Sequence, residues 1–252
     1  MSAYDTAFFS GHHAGSLGSA RAVVPMLREL VAFSSVIDLG CGTGTWLSAF
    51  AESGTTDYLG LDGSWVDQAA LAIPRERFRV ADLAAPPPLE RRFDLALSVE
   101  VAEHLPEASA DAFVRTLASL APVVAFSAAI PGQGGTHHVN EQWPDYWASR
   151  FLSRGYLCID CLRTQLWARP DVQWWYSQNL LIFADKNVIG AHAGLSAATG
   201  LTPPDAPPLR LVHPGCFDTL RQTPLGVSRI VKEGPGALRR AAGRVLRPRG
   251  SA

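Results

Sequence analysis

VIDLGCGTGTW, residues 36–46, sets a β-rich apolar run directly against a glycine-rich turn and the opening of a helix. Glycine lacks a Cβ, so Gly40 and Gly42 let the backbone reverse tightly and approach a ligand, while Gly44 permits close entry into the helix. The run Gly40-Cys41-Gly42-Thr43-Gly44 departs from the G-x-G-x-x-G of a dinucleotide loop, yet the loop alone leaves such a site open. Strand, glycine turn and helix in this order predict a βαβ unit whose ligand lies beyond the carboxyl end of the strand.

The same alternation continues outward from this segment. SSVIDLG (34–40), DYLGLDG (57–63), RFRVAD (77–82), FDLALSV (93–99), PVVAFSA (122–128), YLCIDCL (156–162) and QNLLIFA (178–184) read as seven strands. GTWLSAFAES, SWVDQAALA, PEASADAFVRTLASL and NEQWPDYWASRFLSR, lying between them, carry the apolar spacing and caps of helices. Ser19–Leu30 predicts a further helix over the sheet end, which Pro25 should kink or divide. The pattern is that of a doubly wound α/β fold with a largely parallel sheet. It divides the chain into an N-terminal cap segment (1–33), an α/β domain (34–185) and a linker with a basic tail (186–252). The linker reading rests on the Ala, Gly and Pro of AHAGLSAATGLTPPDAPPLR, and the fold is expected to survive removal of everything after about Pro203. GALRRAAGRVLRPRG, near the end, has the make-up of a short basic amphipathic helix.

A chain of 252 residues with 47% apolar content can bury a substantial core. Its start lacks a basic region followed by an apolar run, and no stretch is apolar for long enough to span a bilayer, so a soluble, cytoplasmic protein is expected. The four cysteines fit no secreted disulfide framework and are expected as free thiols. Cys158 and Cys161 could be half of a zinc site, but GYLCIDCLR reads as a strand and core packing is the better reading. Charge is uneven: residues 1–185 hold 12 Lys/Arg against 20 Asp/Glu, net −8, and residues 186–252 hold 10 against 3, net +7. An acidic catalytic part argues against tracking nucleic-acid phosphates, whereas the tail suits weak contact with an acidic partner or a membrane surface.

The acids after the glycine loop narrow the ligand. Asp62 closes the second strand, where a carboxylate can accept both hydroxyls of a ribose. Asp82 closes the third strand, where it can accept from an adenine amino group, with the N–H of Leu83 available to the ring. Over roughly residues 30–185 the chain resembles the class I methyltransferases that use S-adenosylmethionine (SAM). The resemblance implies a seven-stranded sheet with the last strand antiparallel. It also implies a cofactor held by Asp38, Gly40, Gly42 and Gly44, with Asp62 at the ribose and Asp82 at the adenine. Cys41, Gly63, Leu83 and Ser98 complete the expected cofactor shell. The competing reading is a Rossmann domain for NAD or a nucleotide-sugar, because fold alone does not fix function.

FDLALSVEVAEHLPE, residues 93–107, carries Glu100, Glu103 and His104 off the end of the fourth strand. If a helical turn starts there, their spacing puts all three on one face. His137 and His138, in the glycine-rich stretch after the fifth strand, can add the ligand that would complete a divalent metal site. The arrangement is similar to the small-RNA 3′-end 2′-O-methyltransferases, which have Glu-x-x-Glu-His after the fourth strand and a later His three residues before a Glu. Here His138 precedes Glu141 by that interval, which favours it over His137. The ubiquinone-biosynthesis O-methyltransferases share the Glu-x-x-Glu-His stretch.

Acceptors of both groups carry adjacent hydroxyls. The resemblance therefore implies metal ligation (Mg²⁺ or Mn²⁺) by Glu100, Glu103, His104 and His138, with His138, His104 and Glu103 in catalytic roles. The expected reaction is O-methylation of a vicinal diol in a sugar, glycan or glycosylated small metabolite. The alternatives are 2′-O-methylation of an RNA 3′ end and SAM binding without turnover. A metal-free site, with His137 or His138 as a base, is the simpler chemical alternative, since an acid at a helix start is favoured by the helix dipole alone. His12 and His13 read as a solvated pair or as a closure over the cofactor. Trp143, Tyr146 and Trp147, and then Trp167, Trp174, Trp175 and Tyr176, read equally as core packing or as an acceptor pocket.

Overall fold

A computed structural model describes residues 6–86, 88–200 and 208–222 of the chain. The elements are α1 (Thr6–Leu30), β1 (Ser35–Leu39), α2 (Thr45–Glu52), β2 (Asp57–Asp62), β3 (Phe78–Val80), β4 (Leu95–Val99), α3 (Ala110–Leu120) and β5 (Val123–Ser127). After these come α4 (Pro144–Leu152), β6 (Tyr156–Ile159), α5 (Arg163–Leu166), α6 (Trp174–Asn179), β7 (Leu181–Asp185), α7 (Ala193–Thr199) and α8 (Pro214–Gln222). The chain divides into two compact units, Met1–Cys216 and Phe217–Ala252. Of the second, only the end of α8 is described, so the expected basic helix at 236–250 lies outside the described residues, as do the side chains of His12 and His13.

The seven strands form one sheet in the order β3-β2-β1-β4-β5-β7-β6. β1 to β5 run parallel, and β7 is antiparallel to both β5 and β6. Every residue of β1, β4 and β5 is buried, because helices cover both faces and leave no polar side to alternate with. On one face Val36, Leu97 and Ile182 pack against Val23 and Leu27 of α1, Phe50 of α2 and Leu195 of α7. On the other Ile37, Val124 and Phe183 pack against Phe113 of α3 and Trp147 and Phe151 of α4. The doubly wound sheet with its antiparallel last strand is the predicted architecture. The strand order reverses at β1, which opens a crevice beyond the carboxyl ends of β1 and β4.

Several local expectations are corrected. α1 starts at Thr6 rather than Ser19 and runs through Pro25, which lies on the exposed side where the carbonyl left without an N–H partner meets water. Gly15 and Gly18 lie against residues 171–173, where a Cβ on Gly15 would meet the Gln173 side chain, and Ser19 Oγ donates to Gly15 O and accepts from Gln173 N, at 2.8 and 2.9 Å. SWVDQAALA forms only a 3₁₀ turn at Gln68–Ala70. Asp67 caps that turn by accepting from Ala69 N, and Ala72 N is drawn to Thr43 O in the glycine loop, 2.8 Å away. β6 stops at Ile159, and Cys158 and Cys161 pack against opposite faces of the sheet, so the two thiols do not form half of a zinc site.

The linker reading of residues after 185 is also corrected. α7 lies against α1, with Gly194 next to Glu29 O and Leu195 fully buried. Residues 208–216 form a strap on the sheet unit. Arg210 makes a bidentate pair with Asp145 at 2.8 and 2.7 Å, His213 N donates to Gln178 Oε1 at 2.8 Å, and Cys216 is buried. The compact unit therefore runs on past Pro203 to Cys216. Composition misled because small residues read as flexible, whereas close packing against α1 requires them. Among the described residues no helix is long and apolar enough to cross a membrane. Leu195→Ala is expected to lower the free energy of unfolding by about 2–5 kcal/mol through the cavity it leaves. Urea melts of the full chain measure this, and a change below about 0.5 kcal/mol would contradict a core role for α7.

Candidate active site

The glycine loop owes its shape to positive φ angles of 89° at Gly40, 54° at Gly42 and 83° at Gly44, which side chains rarely adopt. Gly40 N and Cys41 N donate to Leu61 O at 2.8 and 3.2 Å, bending the chain back over β2. Asp62 then fixes the crevice: its Oδ2 accepts from Gly42 N and its Oδ1 from Gly63 N, each at 2.6 Å. Burial raises the Asp62 pKa, and the two backbone N–H groups oppose that shift. The Trp65 side chain donates to the same carboxylate, so only part of its remaining lone-pair capacity is open to a ligand hydroxyl.

Asp38 is buried, with Oδ1 unpartnered, and burial followed by the charge of Asp62 brings its pKa up to about 7. Asp82 is exposed and accepts from Ala84 N at 2.9 Å, while Leu83 is buried beside it. Ser98 is fully buried with its Oγ unpartnered. Asp38 pairs with Leu97, so the side chain of Ser98 points to the opposite face of the sheet from Asp38. One residue was missed by the sequence reading. Trp65 lies across Gly63 and is 68% exposed, an unusual setting for an indole and a ready surface for a flat ring. Its only sequence signal is an aromatic residue three positions after Asp62.

The segment after β4 does not form the expected helical turn. Glu100 adopts a left-handed conformation, φ 55°, with its N–H on Ser127 O and Oγ, both at 3.0 Å. That turns Glu100 away from the following 3₁₀ turn, Ala102–His104, so Glu100, Glu103 and His104 do not share one face. The Glu100 carboxylate instead accepts from Asn179 Nδ2 and Gln133 Nε2, each at 3.1 Å. Burial raises its pKa to about 7 against the pull of these amides.

Glu103, His104 and His138 are brought together, one ligand atom of each lying within 4.8 Å of the others. Glu103 is wholly buried and neither of its carboxylate oxygens has a hydrogen-bond partner. Burial first, and then the charge of Glu100, holds its pKa well above the carboxylate range, against a weaker pull from the backbone N–H groups of Glu103 itself and Ala129. Its backbone carbonyl accepts from Val139 N and Asn140 N at 2.8 and 3.0 Å, which seats the histidine loop over it. His138 meets His104 edge to face, centroids 4.8 Å apart, and its Nδ1 lies 2.9 Å from Glu141 Oε1. Glu141 is itself fixed by Gly132 N and Gly134 N, each at 2.7 Å. Burial, then His138, lowers the His104 pKa to about 4, so its imidazole is neutral at neutral pH. His137 has φ 60° and an exposed side chain, outside this group.

The aromatic segments are mostly spoken for. Trp147 is 2% exposed and packs on Phe126, and Tyr176 is buried against Trp46. Trp143 is covered by Arg210 and Trp167 by His213, both from the strap.

A sheet in this order, with a glycine loop and an acid at the end of β2, defines a class I SAM-dependent methyltransferase. A family model described as a methyltransferase domain matches residues 15–170, well over half of the chain, and the chain belongs to that family. No curated protein matches it. Among solved structures it is similar to TnmH, at 17% identity and a TM-score of 0.47 over 71% of this chain. The chain spans only 59% of the length of TnmH. It is similar to magnesium protoporphyrin IX methyltransferase from Synechocystis PCC 6803 with bound SAH, at 19% identity and a TM-score of 0.46, over 74% of this chain and 90% of that one. It is also similar to the methyltransferase domain of a bacterial Hen1 protein, CtHen1-CN, at 22% identity and a TM-score of 0.46, over 68% and 97% of the two chains.

Asp62→Ala is expected to weaken SAM binding by about 1.5–3 kcal/mol, through loss of a charged acceptor that also orders the loop. Calorimetric titration with SAM measures it, and unchanged affinity would remove Asp62 from the ribose.

Proposed function

We propose that this methyltransferase transfers the methyl group of SAM to a hydroxyl of a vicinal diol in a sugar, glycan or glycosylated small metabolite, with a divalent metal ion at Glu103, His104 and His138. The observation that carries the metal is Glu103, a fully buried carboxylate whose two oxygens have no protein partner and which faces two imidazoles. An uncompensated buried carboxylate is costly, and a cation would compensate it. The fit extends to the surroundings: Glu141 on Nδ1 leaves Nε2 of His138 for ligation, and His104 is already neutral. One carboxylate with two imidazoles suits Mn²⁺ better than Mg²⁺, which favours oxygen donors.

When bound, such an ion lowers the pKa of a coordinated hydroxyl, which is otherwise a poor nucleophile toward a sulfonium methyl group. The chain's own part is to hold the donor and acceptor in one crevice, the glycine loop and Asp62 serving the cofactor and the turn after β4 the acceptor. The net charge of −8 over residues 1–185 supports an uncharged diol over the phosphate-bearing 3′ end of an RNA. Strong single-stranded RNA binding that falls steeply with salt would reverse that preference.

Chelation with EDTA is expected to abolish methylation of sugars, glycosides or catechols by isotopically labelled SAM, and Mn²⁺ to restore it. Glu103→Ala, His104→Ala and His138→Ala should each lose at least 100-fold in turnover while SAM affinity stays within threefold, because the ion acts on the acceptor. The Glu103/His138 double variant should be no worse than either single one. Full turnover in EDTA, or a severe loss in His137→Ala beside a silent His138→Ala, would overturn the assignment.

A further inference from the structure

Behind Glu100 lies a group of three amide side chains, Gln133, Gln178 and Asn179, which are 7%, 0% and 3% exposed. Gln133 Nε2 and Asn179 Nδ2 both point at Glu100, each donating to its carboxylate at 3.1 Å. Their oxygens then face the other way. Gln133 Oε1 and Asn179 Oδ1 both accept from Gln178 Nε2, at 2.9 and 3.0 Å. Gln178 is thereby oriented too, with its Oε1 turned to the strap, where it accepts from His213 N at 2.8 Å. Donation runs from the strap through Gln178, then through Asn179 and Gln133 to Glu100, with one lateral bond, Asn179 Nδ2 to Gln133 Oε1 at 3.0 Å, tying the two middle amides together. Hydrogen bonds aligned in series polarise one another, and here none of the three amides can flip without facing oxygen with oxygen.

The strap is fastened to the same residue from behind. Arg163, fully buried and paired with Asp160, donates to Leu209 O at 2.9 Å and to Gln178 O at 3.1 Å. His213 Nε2 lies 2.9 Å from Trp167 O, and Arg210 holds Asp145. Docking of residues 209–213 and the orientation of the Gln178 amide therefore depend on each other. Glu100 adds charge beside Glu103 and feels this orientation directly.

We propose that Gln178 is a positioning residue that couples docking of the 208–216 strap to the orientation of Glu100 beside the Glu103, His104 and His138 group. The part concerning metal affinity rests on the metal reading above; the part concerning the amide relay does not. The test uses the full chain and two readouts, hydrogen exchange of the side-chain NH₂ groups by NMR and affinity for Mn²⁺ alone. Gln178→Leu breaks the relay, His213→Pro removes only the donor N–H together with its imidazole, and His213→Ala keeps the N–H as the control.

In the unaltered protein the NH₂ protons of Asn179 and Gln133 should exchange at least tenfold more slowly than those of exposed amides. Gln178→Leu and His213→Pro should each accelerate that exchange at least tenfold and weaken Mn²⁺ binding at least fivefold, with His213→Ala within twofold on both. Adding Gln178→Leu to Glu100→Gln should weaken Mn²⁺ no further. A folded Gln178→Leu protein with unaltered exchange at Asn179 and Gln133 overturns the proposal, even if His213→Pro fails to fold. If the unaltered protein binds no Mn²⁺, the metal reading falls, and the exchange rates alone decide the relay.

Discussion

Asp62 ties the two halves of the crevice together. Its carboxylate takes one backbone N–H from the loop after β1 and one from the turn after β2, each at 2.6 Å, and so fixes the separation of two strand ends. The left-handed glycines are needed because the loop must present Gly42 N inward at that point. The 3₁₀ turn that replaces a predicted helix follows from the same constraint, since Ala72 N is held to the loop through Thr43 O. A continuous helix there would have drawn that N–H into its own ladder.

Around this link the chain gathers buried acids: Asp38, Asp62, Glu100 and Glu103. Burial raises the pKa of each, and like charge adds to the shift at Asp38 and Glu103. Their treatment differs. Asp62 and Glu100 are compensated by N–H donors, from the backbone in one case and from amide side chains in the other. Glu103 has no donor at hydrogen-bonding geometry, only the weaker pull of the backbone N–H groups of Glu103 and Ala129, a cost that folding alone gives no reason to retain. Such uncompensated groups concentrate where a protein binds charge.

The strap adds a second layer of control. A surface ion pair such as Arg210 with Asp145 contributes little by itself. Arg163 is different, because a fully buried guanidinium must satisfy its donors, and it does so with Asp160, Gln178 O and Leu209 O at once. The strap is thus built on polar groups that cannot be left unmade in the interior. The strap also sets Arg210 over the ring of Trp143 and His213 against Trp167, both of which are half-buried.

The strand pattern, the glycine loop, Asp62, Asp82 and the Glu-x-x-Glu-His stretch were legible in the sequence, because apolar periodicity and turn chemistry are local and the spacing of acids after strands follows from them. Seven strands lie where the apolar runs predicted them, and the family follows from the loop and its acids. Only the tertiary structure left Glu100 outside the Glu103, His104 and His138 group while keeping its charge close to Glu103, since a single left-handed residue held by Ser127 undoes any helical spacing. It also decided that Trp65 is open, that Trp147 is core, and that α7 and residues 208–216 pack onto the sheet unit. Those outcomes depend on which surfaces meet across more than a hundred residues of chain, as His213 meets Gln178 and α7 meets α1, and no local pattern encodes such a meeting.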